Sequence, residues 1–330
     1  MKQDSRLTIL FYNTCWIAIP DPIPDCPVEC VLTRDRAALK EADAVVFHIP
    51  TTELPIRARK HRGQKWIALS MESDVNYPIL NDQAFMRQFD LTMTYRWDAD
   101  ICTPYFGPAM LERLLTPPRE KTDQAPVVYM ASNPLDRSGR TAYVRELMDY
   151  ITVDSYGRCL QNKTLVDDAG RETKLATFSR YRFTLAFENS ISKDYVTEKF
   201  FDPLIVGSVP VYLGAPNIRD FAPAEKSFID AGAYHSPRDL AHHLHMLTAR
   251  PDLYDEYLAW KRQGVTNPTF LAMMEHLRIH PMCRLCLALC SVSGPQGPGK
   301  GPLSSLFTHR LKSLISVGGG RSSRVPWRRR

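Results

Sequence analysis

The 330-residue sequence has no apolar run near the length of about 18 residues that a membrane-spanning helix requires. Its first residues, MKQDSRLTILF, are charged and then strand-like, and they lack the apolar stretch of a secretory signal. As given, the chain is therefore expected to be cytoplasmic or peripherally membrane-bound, or to be the Golgi-luminal part of a protein trimmed of its anchor. Cysteine is too sparse for a disulfide scaffold, with eight residues at positions 15, 26, 30, 102, 159, 283, 286 and 290. Internal repeats are missing. Acidic residues are missing from 291–330, which holds eight Lys or Arg against a net charge of +6 for the whole chain. The body is thus slightly acidic, so the basic balance belongs to the tail and gives no reason to expect nucleic-acid binding.

Hydrophobic residues make up 44% and charged residues 24%, ordinary values for a chain that buries a full core. In the first half, short β-rich runs (LTILF from Leu7, AVVFHI from Ala44, WIALS from Trp66, VVYMA from Val127) alternate with helical or polar stretches such as RAALKEAD. That alternation predicts parallel sheets with crossover connections. The polar, proline-bearing stretch 115–126 reads as a linker. Beyond it, 140–150 reads as a helix, ITVDSYG as a strand and turn, FTLAF as a strand, the segment from Tyr195 as a helix and VPVYLG as a strand. Ser236 followed by Pro237 marks a helix start, with Leu240, Leu244 and Leu247 at helical spacing. The division expected is 1–120, 121–290 and a disordered basic tail, 291–330. Ligands in such sheets sit at the carboxyl ends of the strands.

The most informative segment is 187–217, FENSISKDYVTEKFFDPLIVGSVPVYLGAPN. It places Glu188, Asn189, Tyr195, Thr197, Glu198 and Lys199 just after a strand and at a helix start. A helix N-terminus beside a lysine suits a phosphate, and a carboxylate nearby suits ribose hydroxyls. Spacing alone leaves a solvated helix face equally open for Glu198 and Lys199.

This segment resembles the signature of the α-1,3-fucosyltransferases, glycosyltransferase family 10. The resemblance continues in SGRTAYVRELMDYITVDSYGRCLQN (138–162), KWIALSMES (65–73), FDLTMTYRWDADICTPY (89–105) and SFIDAGAYHSPRDLAHHL (227–244), in the family's order from about Cys30 to Cys290. It implies a GT-B-type α/β fold of two Rossmann-like domains facing a cleft, the second holding GDP-fucose and the first supplying the acceptor side. It further implies inverting transfer of L-fucose to an acceptor oligosaccharide or glycoconjugate hydroxyl, α-1,3 to N-acetylglucosamine, with no metal or organic cofactor. The alternative is a catalytically weak glycan- or nucleotide-binding relative.

Inversion requires a base for the acceptor proton and positive charge for the departing diphosphate. By position in the motifs, Glu72 matches the base, Arg140 and Lys199 the pyrophosphate cations, and Glu198 the ribose carboxylate. Ser132, Asn133, Asn189, Ser190, Tyr195 and Thr197 fall at nucleotide-contact positions. The family's Glu-Ser-Pro is here Glu72-Ser73-Asp74, which leaves Asp74 as a competing base. Tyr95, Arg96, Asp98 and Asp100 read as structural support, with a weak Asp-X-Asp metal pattern inside them. His242, His243 and His245 read as a polar helix face. Cys283, Cys286 and Cys290, with His276 and His280, have metal-like spacing. The resemblance instead implies a local Cys283–Cys286 bridge, or a reduced pair in a cytoplasmic form. Asn162-Lys163-Thr164 is a glycosylation sequon. The tail is expected to contact anionic membrane.

Overall fold

In a computed structural model, which describes residues 6–292, the chain forms two parallel sheets. The first contains β1 (Leu7–Phe11), β2 (Cys30–Thr33), β3 (Ala44–His48), β4 (Lys65–Ser70), β5 (Leu91–Thr94) and β6 (Ile101–Cys102), in the order β2-β1-β3-β4-β5-β6. The second contains β7 (Val127–Tyr129), β8 (Val153–Ser155), β9 (Phe183–Phe187), β10 (Val209–Leu213) and β11 (Ile229–Asp230), in the order β11-β10-β9-β7-β8. Every strand pairing is parallel. Two parallel α/β units make up the GT-B-type architecture that the resemblance implied. From 293 onward the basic tail, with its expected membrane contact, lies outside the described residues. Among the described residues no helix is long and apolar enough to cross a membrane.

The central strands read as near-continuous apolar runs because both of their faces are covered. β3 is buried at all five positions, as is β9. One face of the first sheet packs Phe11, Val46, Ile67 and Leu69; the other packs Leu10, Val45, Phe47 and Trp66. Ser236 caps the helix Pro237–Ala249 by accepting from the Asp239 N–H, and Leu240, Leu244 and Leu247 face the second sheet's core. The helix expected from Tyr195 begins instead at Glu198. Thr197 is extended and caps it, and Asp194 sits at φ 64°, so the residues before Thr197 do not follow a helical path.

The expected boundary at 290 does not follow the packing. Helix Pro281–Val292 returns to the first sheet, burying Met282, Leu285 and Leu289 among its core residues. Each such side chain contributes about 1.5–3 kcal/mol through burial. The anticipated Cys283–Cys286 bridge is also corrected. Cys283 pairs with Cys26 and Cys286 with Cys30, at Cα–Cα separations of 5.4 and 6.6 Å. The physical reason is helical: residues three apart share one face, and this face turns toward the chain that leads into β2.

The two histidines near these cysteines serve the same junction. His280 Nδ1 accepts from the Met282 N–H, and His276 Nε2 accepts from Arg284 Nη1 at 2.9 Å while its ring meets Trp97 edge-on. Burial, reinforced by Arg284, pushes His276 down to about 4. The ordinary value is about 6.5. The unfolded chain therefore takes up a proton that the folded chain refuses, and this stability is present above about pH 6.5 and lost as pH falls toward 4. The melting temperature should accordingly fall more steeply across that window in the parent than in His276→Gln. Identical slopes in the two proteins would show that His276 does not carry the effect.

Candidate active site

Glu72 stands two residues beyond the carboxyl end of β4. Its backbone is fixed within its own unit. The Ser70 hydroxyl accepts from the Glu72 N–H at 3.2 Å and donates to its carbonyl at 3.0 Å, and the Tyr105 hydroxyl donates to the Met71 carbonyl. Across the cleft, the Tyr195 hydroxyl donates to Glu72 Oε2 at 3.3 Å. The charge of Glu72 also reaches Tyr77 and Tyr105. Burial first, and then the charge of Glu72, pushes the Tyr77 and Tyr105 hydroxyls up; for Tyr195, burial is followed by Tyr105 and a set of carboxylates that includes Glu72. All three stay neutral donors near pH 7.

The facing wall is built at the carboxyl ends of β7 and β9. Arg140 opens the helix Arg140–Leu147 and is 1% exposed. Its guanidinium donates to the Phe187 carbonyl at 3.0 Å and the Asn133 carbonyl at 2.9 Å, while Nε is buried without a partner. Arg140 therefore ties the loop after β7 to the end of β9 and leaves one buried donor without a protein partner. The Asp136 carboxylate accepts from the backbone N–H groups of Ser138, Gly139, Arg140 and Thr141, so it fills the N-terminus of this helix. Gly139 precedes the helix at φ 79°, a conformation that costs glycine little.

At the next helix start, Glu188 is fully buried. It accepts from the Thr197 N–H at 2.8 Å and from the Thr197 hydroxyl, and it pairs with Lys199 Nζ at 3.4 Å. Lys199 Nζ also lies 3.3 Å from Glu198, which Lys174 approaches to 4.0 Å. Burial pushes the Glu188 carboxyl up against the pull of Lys199, and it opposes charge on Lys199 as well. The two carboxylates outweigh burial there and hold the Lys199 ammonium above its usual range. A Cβ at Gly214 would collide with Glu188 and the Tyr212 hydroxyl, so glycine is needed for this close approach. Glu188 belongs to the segment singled out from sequence but was assigned no role. Its burial beneath the helix start is what makes it a holder of Lys199, and burial is not visible in the order of residues.

The other anticipated positions divide. Thr197, Glu198 and Lys199 converge with Glu188. Ser132 and Asn133 lie exposed on the loop after β7, with Ser132 Oγ accepting from the Arg158 N–H at 3.4 Å and Asn133 Oδ1 from the Leu135 N–H at 3.0 Å. Asn189 and Ser190 turn toward the Glu72 loop. Asn189 accepts from Asn76 at 3.0 Å, and the Ser190 hydroxyl donates to that of Ser73 at 2.6 Å. Asp98 forms a two-pronged pair with Arg96, and Asp100 accepts from Thr92, so these carboxylates serve different partners. His243 meets Tyr257, and His245 meets the Tyr150 carbonyl at 3.0 Å. Asn162 of the sequon is spent on β8, accepting from Ser155 and donating to Val153.

Taken together, a carboxylate with one weak neighbour faces a wall of two fixed cations and a partly exposed carboxylate. Such a cleft can take a proton on one side and hold a diphosphate on the other. Comparison with known proteins supplies the family. Residues 119–296 match the family described as glycosyltransferase family 10 (fucosyltransferase) C-term, and residues 4–106 match fucosyltransferase, N-terminal. Among relatives, a putative fucosyltransferase-like protein of Arabidopsis thaliana is 38% identical, covering 69% of this chain and 44% of its own length. GDP-fucose protein O-fucosyltransferase 3 of Canis lupus familiaris is 34% identical (74% and 55%), and alpha-(1,3)-fucosyltransferase B of Drosophila melanogaster is 32% identical (73% and 60%). The chain spans about half the length of these relatives. A solved alpha1,3-fucosyltransferase with GDP-fucose aligns over 91% of this chain and 94% of its own, with a TM-score of 0.45 and 15% identity. On the two family matches, which together run through both sheets, the chain belongs to glycosyltransferase family 10, the fucosyltransferases.

Proposed function

We propose that the protein transfers L-fucose from GDP-fucose to an acceptor hydroxyl with inversion at the anomeric carbon. One observation supports the reading: the Tyr195 hydroxyl meets Glu72 and lies beside Glu188 and Glu198, the carboxylates that hold Lys199. In this reading Glu72 takes the acceptor proton as the oxygen attacks. Lys199 and the unspent Arg140 Nε meet the leaving diphosphate, and Glu198 receives the ribose hydroxyls. Two acceptor classes remain in play. The resemblance favours a glycan, α-1,3 to N-acetylglucosamine. The relatives named protein O-fucosyltransferase favour a polypeptide hydroxyl. The two disulfides support an oxidising compartment over the cytoplasm.

GDP is expected to raise the melting temperature, because it binds only the folded chain, and the shift should survive a chelator. Stabilisation by UDP and not GDP would refute the donor assignment. Supplying GDP-fucose with N-acetylglucosamine-containing glycans in one arm and folded polypeptides in the other separates the acceptor classes. Transfer to neither, with GDP-fucose left intact, would favour the catalytically weak relative.

A further inference from the structure

Four residues of the Glu72 loop meet four residues of the segment before Lys199, side chain to side chain. Tyr195 reaches Glu72 at 3.3 Å, Ser190 reaches Ser73 at 2.6 Å, Ser192 reaches Asp74 at 2.6 Å, and Asn76 reaches Asn189 at 3.0 Å. The paired residues are 113 to 123 positions apart in sequence and follow strands of different sheets. The segment 189–195 is itself tightly held. Ser192 also meets the Tyr95 hydroxyl at 3.2 Å, and buried Asp194, in the left-handed region, accepts from the Trp97 N–H and from Asn217.

Resting on the base assignment to Glu72, we infer that Asp74 and Ser192 are positioning residues: their hydrogen bond aims the base at the donor. The Glu72 carboxylate itself has one weak partner, so its direction depends on where the loop backbone lies. Of the four cross-cleft bonds, Ser192 to Asp74 is the one that joins a short distance to a carboxylate, and charge-assisted bonds are about twice as strong as neutral ones. Its donor stands on the chain that leads directly into Thr197, Glu198 and Lys199. Base and diphosphate wall are thereby set in one frame. The same bond answers the departure from Glu-Ser-Pro. Where the family stiffens the turn with proline, this chain pins it to the opposite unit with a carboxylate. Asp74 accepts from Ser192 and lies 3.9 Å from Arg96, in the same cavity wall as Glu72.

The test compares kcat, KM for GDP-fucose and GDP affinity in Asp74→Ala, Asp74→Asn, Ser192→Ala and the double Asp74→Ala/Ser192→Ala, with Glu72→Gln alongside. Misplacing a catalytic group by about an ångström costs up to about a hundredfold. Asp74→Ala and Ser192→Ala should each lower kcat by about tenfold or more, with KM and GDP affinity little changed. Asp74→Asn keeps an oxygen for Ser192 but not the charge, so it should lie between Asp74→Ala and the parent. The double variant should be no slower than the slower single one, because both remove the same bond. Thermal unfolding with and without GDP checks that each variant keeps its fold and donor site. Asp74→Asn as inactive as Glu72→Gln would make Asp74 a base and overturn the inference. So would losses that multiply in the double variant, or an undiminished kcat in Asp74→Ala while Glu72→Gln is inactive. Full activity of Glu72→Gln would instead defeat the base assignment, and the aiming role with it.

Discussion

Glu72→Gln is expected to lower fucosyl transfer by at least about a hundredfold while GDP affinity barely changes. An acceptor hydroxyl is a poor nucleophile until its proton has a destination, and general bases typically contribute about 10²- to 10⁴-fold. Gln keeps the size of the side chain and can still accept from Tyr195, so the wall behind it should not move. Only the basic lone pair is lost. Lys199→Ala should separate from it in two ways. It should lose GDP affinity as well as rate if, as proposed, the ammonium meets the diphosphate. It should also lower the melting temperature without ligand, because Glu188 is fully buried and would be left without its cation. Removing one partner of a buried pair costs about 3–5 kcal/mol. Steady-state kinetics, GDP titration and thermal unfolding of the two variants give the comparison. A Glu72→Gln enzyme near the parental rate would place the base elsewhere in the cleft.

The second large effect is expected from the cysteines. Removing both disulfides, as in Cys283→Ser/Cys286→Ser, should cost about 5 kcal/mol, the loop-entropy value for rings of this size. The bridges span sequence separations of 257 and 256, so they close nearly the same ring. Either one alone therefore retains most of that constraint. The single variants Cys26→Ser and Cys30→Ser should each lose far less than half of the double variant's loss. Against a typical total of about 5–15 kcal/mol, the double variant stands near the limit of folding. Denaturant unfolding of the four proteins measures this. Single losses that sum to the double loss would contradict the shared-ring account. Thiol labelling of the denatured, unreduced chain adds an independent check: Cys26→Ser should free Cys283, which the fold buries, and leave Cys286 protected. Reactivity of neither would return the bridge to the local Cys283–Cys286 form.

Local chemistry was readable wherever its cause lies within a few residues. The apolar runs that became β1, β3, β4, β9 and β10 are nearly unbroken because both faces of those strands are covered. Ser236-Pro237 announced its helix because a cap and its recipient N–H are three residues apart. The clustering of Thr197, Glu198 and Lys199 could be read from one short segment, and their family resemblance named the chemistry. The late start of the Glu198 helix was less accessible, because Thr197 takes the cap while held by Glu188, nine positions earlier and across a turn.

The sequence by itself therefore determined the strand runs, the helix caps and the charged groups each strand end would carry. Only the tertiary structure decided which of those groups meet. Asp74 could be read as a second base, but its meeting with Ser192, 118 positions away, is visible only in the fold. Cys283 and Cys286 could be read as a pair until their helix returned to the first sheet. Asn189 and Ser190 could be read as nucleotide contacts, but that their side chains meet the Glu72 loop was not legible in their order. The physical reason is the same in each case. Periodicity and capping are enforced between near neighbours along the chain, whereas a partner across the cleft is chosen by how two separately formed sheets pack, and no spacing along the chain records that choice.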